Sequence, residues 1–177
     1  TFENLHIPYL VGGSMASALY GVARSTLDAD IVADIQLEQV GKLVSGLGAD
    51  FYADDEMIRS AIKHRNSFNL IHLETMFKVD VFIRKDRPFD RMQFDRRIEQ
   101  VFAIEPEQRA FITSVEDLIL AKLEWYRLGN EISDRQWRDI LGVLKVQAGR
   151  FDLVYLRQWA DELTIAGLLQ RALEESE

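Results

Sequence analysis

The stretch GGSMASALYGVARSTLDADIV, residues 12–32, decides how the first part of the chain is built. Two glycines and a serine follow the apolar run His6–Val11, which predicts a short strand that ends in a turn. Met15–Tyr20 is expected to form a short helix, with Ser14 as its N-cap and Gly21 at its end. The stretch therefore predicts a strand, a small-residue turn and a helix in succession.

A second strand is predicted for Asp28–Ile35, and it carries two carboxylates. Asp28 and Asp30 point to the same face because side chains alternate along a strand. Carboxylates in an apolar segment are costly unless a cation neutralises them. Three explanations are open at this point: a metal ion, a basic side chain, or a segment that is not a buried strand. Hard divalent cations such as Mg²⁺ prefer oxygen ligands and suit such a pair.

A third acid lies in another apolar segment. Ser67–Leu73 and Phe77–Ile83 alternate along their length and are separated by a short spacer, which predicts an antiparallel hairpin. Asp80 lies in the second of these strands. If this strand is a neighbour of the Asp-x-Asp strand, the three acids converge; otherwise Asp80 pairs with Lys78 or with a distant arginine.

The turn before the first predicted helix has the composition of an anion site. A small-residue turn that leads into a helix exposes backbone N–H groups at the positive end of the helix dipole. Gly12 and Gly13 would let the backbone approach a phosphate, and the Ser14 hydroxyl would add a hydrogen bond. Gly-Gly-Ser is also a common turn, so the triplet alone does not define a site. Beside a site of two or three acids and a metal, it would serve phosphoryl or nucleotidyl transfer.

The order of these features resembles the DNA polymerase β-like nucleotidyltransferase superfamily. In that family a Gly-Ser motif opens a helix, an Asp-x-Asp strand follows, and a later strand supplies a third acid. The matching residues are Gly13, Ser14, Asp28, Asp30 and Asp80. The segment Arg24–Val32 is most similar to minimal bacterial nucleotidyltransferases, including those of AbiEii-type toxins. Specific motifs cover residues 7–83, and the resemblance is weaker beyond them.

The resemblance implies a transferase that moves NMP from an NTP, ATP among them, to an acceptor hydroxyl. Asp28 and Asp30 would hold two Mg²⁺ ions, with Mn²⁺ as an alternative. Asp80 would complete the metal site and help to deprotonate the acceptor. Ser14 and the neighbouring backbone N–H groups would hold the triphosphate.

Two downstream positions resemble further motifs of the toxin group. Lys122 would contact nucleotide phosphates; the alternative is an ordinary exposed helix lysine. Asp139 would order this basic cluster, or would pair with Arg135 one helical turn earlier. Arg24 would line the cleft or remain a solvated loop residue.

The remaining patterns set the fold class. Leu37–Leu47 has a helical period, and the acids at residues 54–56 suit the start of another helix. Residues 97–104 are expected to add an edge strand. Together with the motifs above, this predicts an α+β fold with a nucleotidyltransferase-like mixed or antiparallel sheet and flanking helices.

From Ser114 onward the pattern is helical. Ser114 and Ser133 are the predicted N-caps of two helices, and residues 151–163 and 165–173 predict two more. A C-terminal helical bundle is therefore expected. Residues 1–112 would form the catalytic region, and residues 113–177 a helical region that completes the cleft.

Composition narrows the range of partners. The chain has 29 acidic and 21 basic residues, and its net charge of −8 weakens any case for bulk electrostatic binding to nucleic acid. It has no cysteine, which excludes disulfides and thiolate metal sites and fits a reducing, cytoplasmic setting. No apolar run is long enough to span a bilayer, so no membrane partner is expected.

Two classes of function follow. The first is an active nucleotidyltransferase, including the case of a toxin–antitoxin component. The second is a nucleotidyltransferase-fold module that binds a nucleotide or regulates a partner without turnover. The acceptor could be a small molecule, a protein side chain or an RNA end, and the partner a second copy or an antitoxin-like protein. A phosphohydrolase would use the same acids, but no His–Asp metal pattern supports it.

Overall fold

A computed structural model of the chain describes residues 1–22, 28–104 and 107–177, with residues 102–104 and 107 described by their backbone only. Within these ranges, seven strands form one sheet: β1 (Tyr9–Val11), β2 (Asp28–Ala33), β3 (Phe51–Tyr52), β4 (Ser67–His72), β5 (Lys78–Ile83), β6 (Ile98–Ile104) and β7 (Glu107–Ile112). The same ranges contain eight α-helices: α1 (Gly13–Leu19), α2 (Val40–Leu47), α3 (Asp55–His64), α4 (Pro88–Asp95), α5 (Val115–Leu128), α6 (Asp134–Val146), α7 (Leu153–Glu162) and α8 (Ala166–Ser176).

The sheet is mixed, as predicted. Its strand order is β3-β4-β5-β2-β1-β7-β6, with β2 parallel to β5 and β1 parallel to β7; the other neighbouring pairs are antiparallel. The predicted hairpin of β4 and β5 is confirmed, and β6 lies at the edge of the sheet. Together with the helices, this arrangement confirms the α+β class.

The chain divides into two compact units. The first comprises Thr1–Gly12 and Ser25–Ile112 and contains the described sheet with α2, α3 and α4. The second comprises Gly13–Arg24 and Thr113–Glu177 and contains α1 with α5 to α8. The segment with α1 thus groups with the C-terminal helices, whereas the prediction from sequence includes it in residues 1–112. The catalytic and cleft-completing roles of the two regions stay predictions.

Alternation along the strands separates an apolar face of the sheet from a polar one. Phe68 and Leu70 of β4 and Val81 and Ile83 of β5 are each at most 3% exposed. Helix α3 packs against β4 and buries Ile58 completely. The intervening positions of β4 and β5 face the other way, so polar residues are tolerated there.

The start of α1 differs from the prediction. The helix begins at Gly13, so Ser14 lies inside it and the N-cap assignment is wrong. Gly13 has φ 54°, a left-handed conformation that glycine adopts without a Cβ clash, so the chain turns sharply between β1 and the rest of α1. Gly21 does follow the helix end. Its φ is +103°, and an added Cβ would lie 2.3 Å from the Val146 side chain.

The starts of α3, α5 and α6 agree with the prediction of helices beginning near residue 54 and after Ser114 and Ser133. The Asp54 side chain accepts a hydrogen bond from the Met57 backbone N–H at 2.8 Å. Ser114 and Ser133 cap α5 and α6 in the same way. The predicted helix at residues 37–47 is divided, since its first turn is a 3-10 helix and α2 begins at Val40. β3, β7 and α4 were not predicted. None of the described helices combines the length and apolar character needed to cross a bilayer.

Candidate active site

Strand register brings the three predicted acids to one face of the sheet. In the parallel pair of β2 and β5, Asp30 is the partner of Asp80, and Asp28 is the partner of Lys78. These four side chains point away from the face that buries Ala29 and its neighbours, because side chains alternate along a strand. Neighbouring strands lie about 4.8 Å apart, so the carboxylates share a small area. The condition set by the sequence, that the two strands are neighbours, is met.

Gly12 extends this row of residues onto β1. Its backbone N–H donates to the Asp30 carbonyl oxygen at 2.9 Å. A Cβ built on Gly12 would meet no atom within 4 Å, so the space beside this backbone is open. The row Asn69, Asp80, Asp30 and Gly12 therefore crosses four adjacent strands or their direct continuations.

Gly13 and Ser14, the other predicted phosphate contacts, belong to the second unit and lie in the first turn of α1. Residues 23–27, which carry part of the motif that suggested the family and include Arg24, lie outside the described residues. The nucleotide contacts expected of Gly12, Gly13 and Ser14 stay predictions.

Both oxygens of the Asp80 carboxylate accept hydrogen bonds within the sheet. Lys78 Nζ lies 2.8 Å from Asp80 Oδ2. The Asn69 amide, oriented with its nitrogen toward Asp80, donates to Oδ1 at 2.6 Å. Of the two ion pairs that the sequence left open for Asp80, the one with Lys78 is present. Asn69 was missed, because its place opposite Asp80 depends on the observed β4–β5 register, which the three-residue spacer of the sequence does not predict.

All three acids raise the pKa of the Lys78 ammonium group. The hydrogen bond to Asp80 raises the pKa of the Lys78 ammonium group above its usual range, against a smaller opposing effect of desolvation. The negative charges of Asp80, Asp28 and Asp30 raise it further. Lys78 is therefore positively charged at neutral pH and partly neutralises the acidic face.

The chemistry of this face suits a hard divalent cation, but the side chains do not form a finished metal cage. Three carboxylates on neighbouring strand positions offer the oxygen ligands that Mg²⁺ and Mn²⁺ prefer. Among the described residues, however, no three acidic or histidine side chains are arranged to hold a metal ion as they stand. Asp28, Asp30 and Asp80 therefore remain predicted ligands, whose carboxylates would have to reorient around the ion.

Lys122 is not the exposed lysine of the simpler interpretation. Its ammonium group on α5 lies 3.3 Å from Asp139 Oδ2 on α6, and the two side chains are only 12% and 11% exposed. Asp139 therefore orders Lys122 across two helices, a pairing that the spacing to Arg135 did not reveal. The contact of Lys122 with nucleotide phosphates stays a prediction.

The first turn of α5 holds a buried carboxylate, that of Asp117. Asp117 is 0% exposed. Its carboxylate accepts hydrogen bonds from Ser114 Oγ at 2.7 Å and from the Tyr155 hydroxyl at 2.6 Å. A buried carboxylate is tolerated only with such donors, so this cluster ties α5 to α7.

Tyr20 lies near the same turn within the second unit. Its hydroxyl donates to the Thr113 carbonyl at 2.7 Å. Burial, followed by the negative charges of Glu116 and Asp117, raises the pKa of Tyr20 to about 12. The phenol is therefore held in its neutral form.

Two solved structures match nearly the whole chain. The crystal structure of an antigenic nucleotidyltransferase-like protein from Paracoccidioides brasiliensis is 18% identical with a TM-score of 0.55, and the match covers 98% of this chain and 87% of that one. The solution structure of the antibiotic-resistance factor ANT(2'')-Ia is 15% identical with a TM-score of 0.51, covering 98% of this chain and 89% of that one. No protein-family model matches the chain, and no match to a curated protein is found.

These likenesses define the fold. Structural agreement along the full chain at such low identity shows that the chain has a nucleotidyltransferase-like fold. The sequence had predicted this fold from its motifs. The narrower resemblance to AbiEii-type toxins stays a prediction.

Proposed function

We propose that this protein is a metal-dependent nucleotidyltransferase that moves NMP from an NTP to a hydroxyl-bearing acceptor. One observation carries the proposal. Asp30 and Asp80 are in-register partners on parallel strands, with Asp28 on the same face, in a chain with a nucleotidyltransferase-like fold. Fold likeness alone does not assign an activity, so the weight rests on these three side chains.

In this proposal Asp28, Asp30 and Asp80 hold Mg²⁺, or Mn²⁺ in its place. The bound ions would offset the charge of the triphosphate and lower the pKa of the acceptor hydroxyl. Gly12, Gly13 and Ser14 would hold the triphosphate through backbone N–H groups and one hydroxyl. Lys122 would add a positive charge, provided that its pairing with Asp139 leaves a hydrogen for a phosphate oxygen.

The proposed transfer balances as a displacement at phosphorus. The acceptor oxygen forms a bond to the α-phosphorus of the NTP. The bond from that phosphorus to the bridging oxygen of the β-phosphate breaks, and pyrophosphate leaves. The acceptor proton passes to the Asp80 carboxylate and from there to solvent.

The test is transfer of labelled NMP. The chain is incubated with α-labelled NTPs, Mg²⁺ and cell extract, and the molecule that becomes labelled is identified. Asp28→Asn and Asp30→Asn should each abolish the label while leaving the circular dichroism spectrum unchanged. Wild-type labelling in both variants would disprove the catalytic assignment.

The acceptor and the partner are the finer part of the proposal. One structural neighbour is an antibiotic-resistance factor, and for that reason we would test small molecules first as acceptors. Protein side chains and RNA ends are tested in the same labelled extract. A toxin–antitoxin role would require that expression of the wild-type chain arrests growth while expression of Asp30→Asn does not.

A second candidate function is nucleotide binding without turnover. The observation that favours it is the Lys78–Asp80 ion pair, which engages an oxygen that a metal would need. Calorimetry with Mg²⁺ and each NTP, followed by a pyrophosphate assay, separates the two functions. Tight binding without pyrophosphate release on any acceptor would favour the binding module.

A further inference from the structure

We propose that Lys78 is a built-in cation that competes with the divalent metal for Asp80, so that metal loading has to displace it. The inference rests on the proposed function, because it assumes that the acids on β2 and β5 bind a metal. It goes beyond that function by giving a role in metal affinity to a residue that is not itself a ligand.

The position of Lys78 makes it a neighbour of every acid in the site. It is the cross-strand partner of Asp28 and lies two residues before Asp80 on the same face of β5. Its ammonium group is 2.8 Å from Asp80 Oδ2. The positive charge therefore lies among three carboxylates, where a divalent ion would also be most stable.

Asn69 makes the competition direct. Its amide nitrogen donates to Asp80 Oδ1 at 2.6 Å, and Lys78 already binds the other carboxylate oxygen, Oδ2. A metal bound to the same oxygen would lie about 2.1 Å from it, within a few ångströms of the ammonium group. Two cations at that separation repel each other strongly, so the ammonium group has to move away.

Lys78 is able to move. Its side chain is 42% exposed, whereas that of Asp80 is 19% exposed. A lysine carries its charge on a flexible four-carbon stem and can turn toward water at low cost. Ion pairs that reach solvent contribute little, so the competition should weaken metal binding by about two- to fivefold rather than prevent it.

The experiment is a calorimetric titration of Mn²⁺ into the full chain without nucleotide. Lys78→Met should bind Mn²⁺ about two- to fivefold more tightly than wild type. Lys63→Met removes the same charge from the exposed end of α3 and should bind like wild type. Lys78→Gln serves as a second variant, and thermal unfolding in EDTA checks that each protein is folded.

The outcomes separate the two proposals. If wild type binds Mn²⁺, Asp30→Asn does not, and both Lys78 variants bind no more tightly than wild type, the role of Lys78 is disproved while the metal site stands. An equal gain in Lys63→Met would also overturn it, because a general charge effect would then suffice. If none of the proteins binds Mn²⁺, the metal site and the role of Lys78 fail together.

Discussion

Replacing Asp30 with asparagine should abolish nucleotidyl transfer without lowering the stability of the protein. The substitution keeps the shape of the side chain and removes one of three negative charges on the same face of the sheet. If the carboxylate is there to bind a metal, its charge contributes to activity and opposes folding at the same time. The free energy of unfolding and the transfer rate should therefore respond independently.

The strand geometry sets the expected change in the free energy of unfolding for Asp30→Asn. Asp30 and Asp80 are partners on neighbouring strands, so their charges are about 5 Å apart. At an effective dielectric constant of about 20, two unit charges at that distance repel each other by about 3 kcal/mol. Lys78 offsets much of this repulsion. We therefore expect Asp30→Asn to leave the free energy of unfolding unchanged or to raise it by up to about 1 kcal/mol.

Asp34→Asn is the matched control, because it makes the same chemical change near the end of β2. Asp34 Oδ2 accepts hydrogen bonds from Arg84 Nε at 3.0 Å and from a terminal guanidinium nitrogen at 2.8 Å. The two side chains are only 20% and 19% exposed. Loss of this pair should lower the free energy of unfolding by about 1–2 kcal/mol. Transfer activity should persist, since Asp34 is not part of the proposed site.

The assays are urea unfolding in EDTA and labelled NMP transfer with Mg²⁺. The stabilities of the two asparagine variants should differ by at least about 1 kcal/mol, and their activities should rank in the opposite order. A loss of more than about 1 kcal/mol in Asp30→Asn would show that this carboxylate is structural. Retained transfer in Asp30→Asn would show that it is not catalytic.

Three further predictions concern the second unit. Tyr155→Phe removes a hydrogen-bond donor from the buried carboxylate of Asp117 and should lower the free energy of unfolding, measured by urea titration, by about 2 kcal/mol. Tyr52 is exposed, and an equal loss in Tyr52→Phe would contradict this reasoning. Gly21→Ala combines strain from a positive φ with a clash against the Val146 side chain and should lower the free energy of unfolding, measured by thermal unfolding, by about 2–4 kcal/mol. A loss below about 1 kcal/mol would show that the turn relaxes to accept the added methyl group. The pKa of Tyr20 is raised from 10.0 to about 12, so its contribution to the free energy of unfolding is complete below pH 10 and is lost as the pH rises to 12. In unfolding curves measured across this range, Tyr20→Phe should show a smaller loss of stability than wild type. An unchanged loss would refute the role of Tyr20 in this pH dependence.

Much of the candidate site could be predicted from short stretches of sequence. The two-residue period of β2 and β5 places Asp28 with Asp30 and Lys78 with Asp80 on common faces, since alternation is a property of each strand alone. The caps of α5 and α6 were equally predictable, because a capping hydrogen bond spans only three residues.

The register of the β4–β5 hairpin could not be predicted from the sequence. Had only residues 74–76 formed the loop, Leu73 would face Phe77 and Leu70 would face Asp80. In the structure the loop begins at Leu73, because the His72 backbone N–H donates to the Phe77 carbonyl oxygen. Asn69 therefore lies opposite Asp80 instead. A shift of one residue exchanges the two faces of a strand, so the cross-strand partner of Asp80 depends on packing that no short motif contains.

Short motifs therefore indicated a nucleotidyltransferase-like fold and three candidate acids through their resemblance to a known superfamily. The strands, turns and caps that carry those motifs could be predicted because their signals act over a few neighbouring positions. The tertiary structure decided which strands are neighbours, that Asn69 lies opposite Asp80, and that Lys122 pairs with Asp139. Those contacts join residues separated by up to fifty positions in the case of Asp30 and Asp80. They form only when burial is satisfied over a whole sheet or helical unit at once, which is a property of the assembled chain and not of any segment.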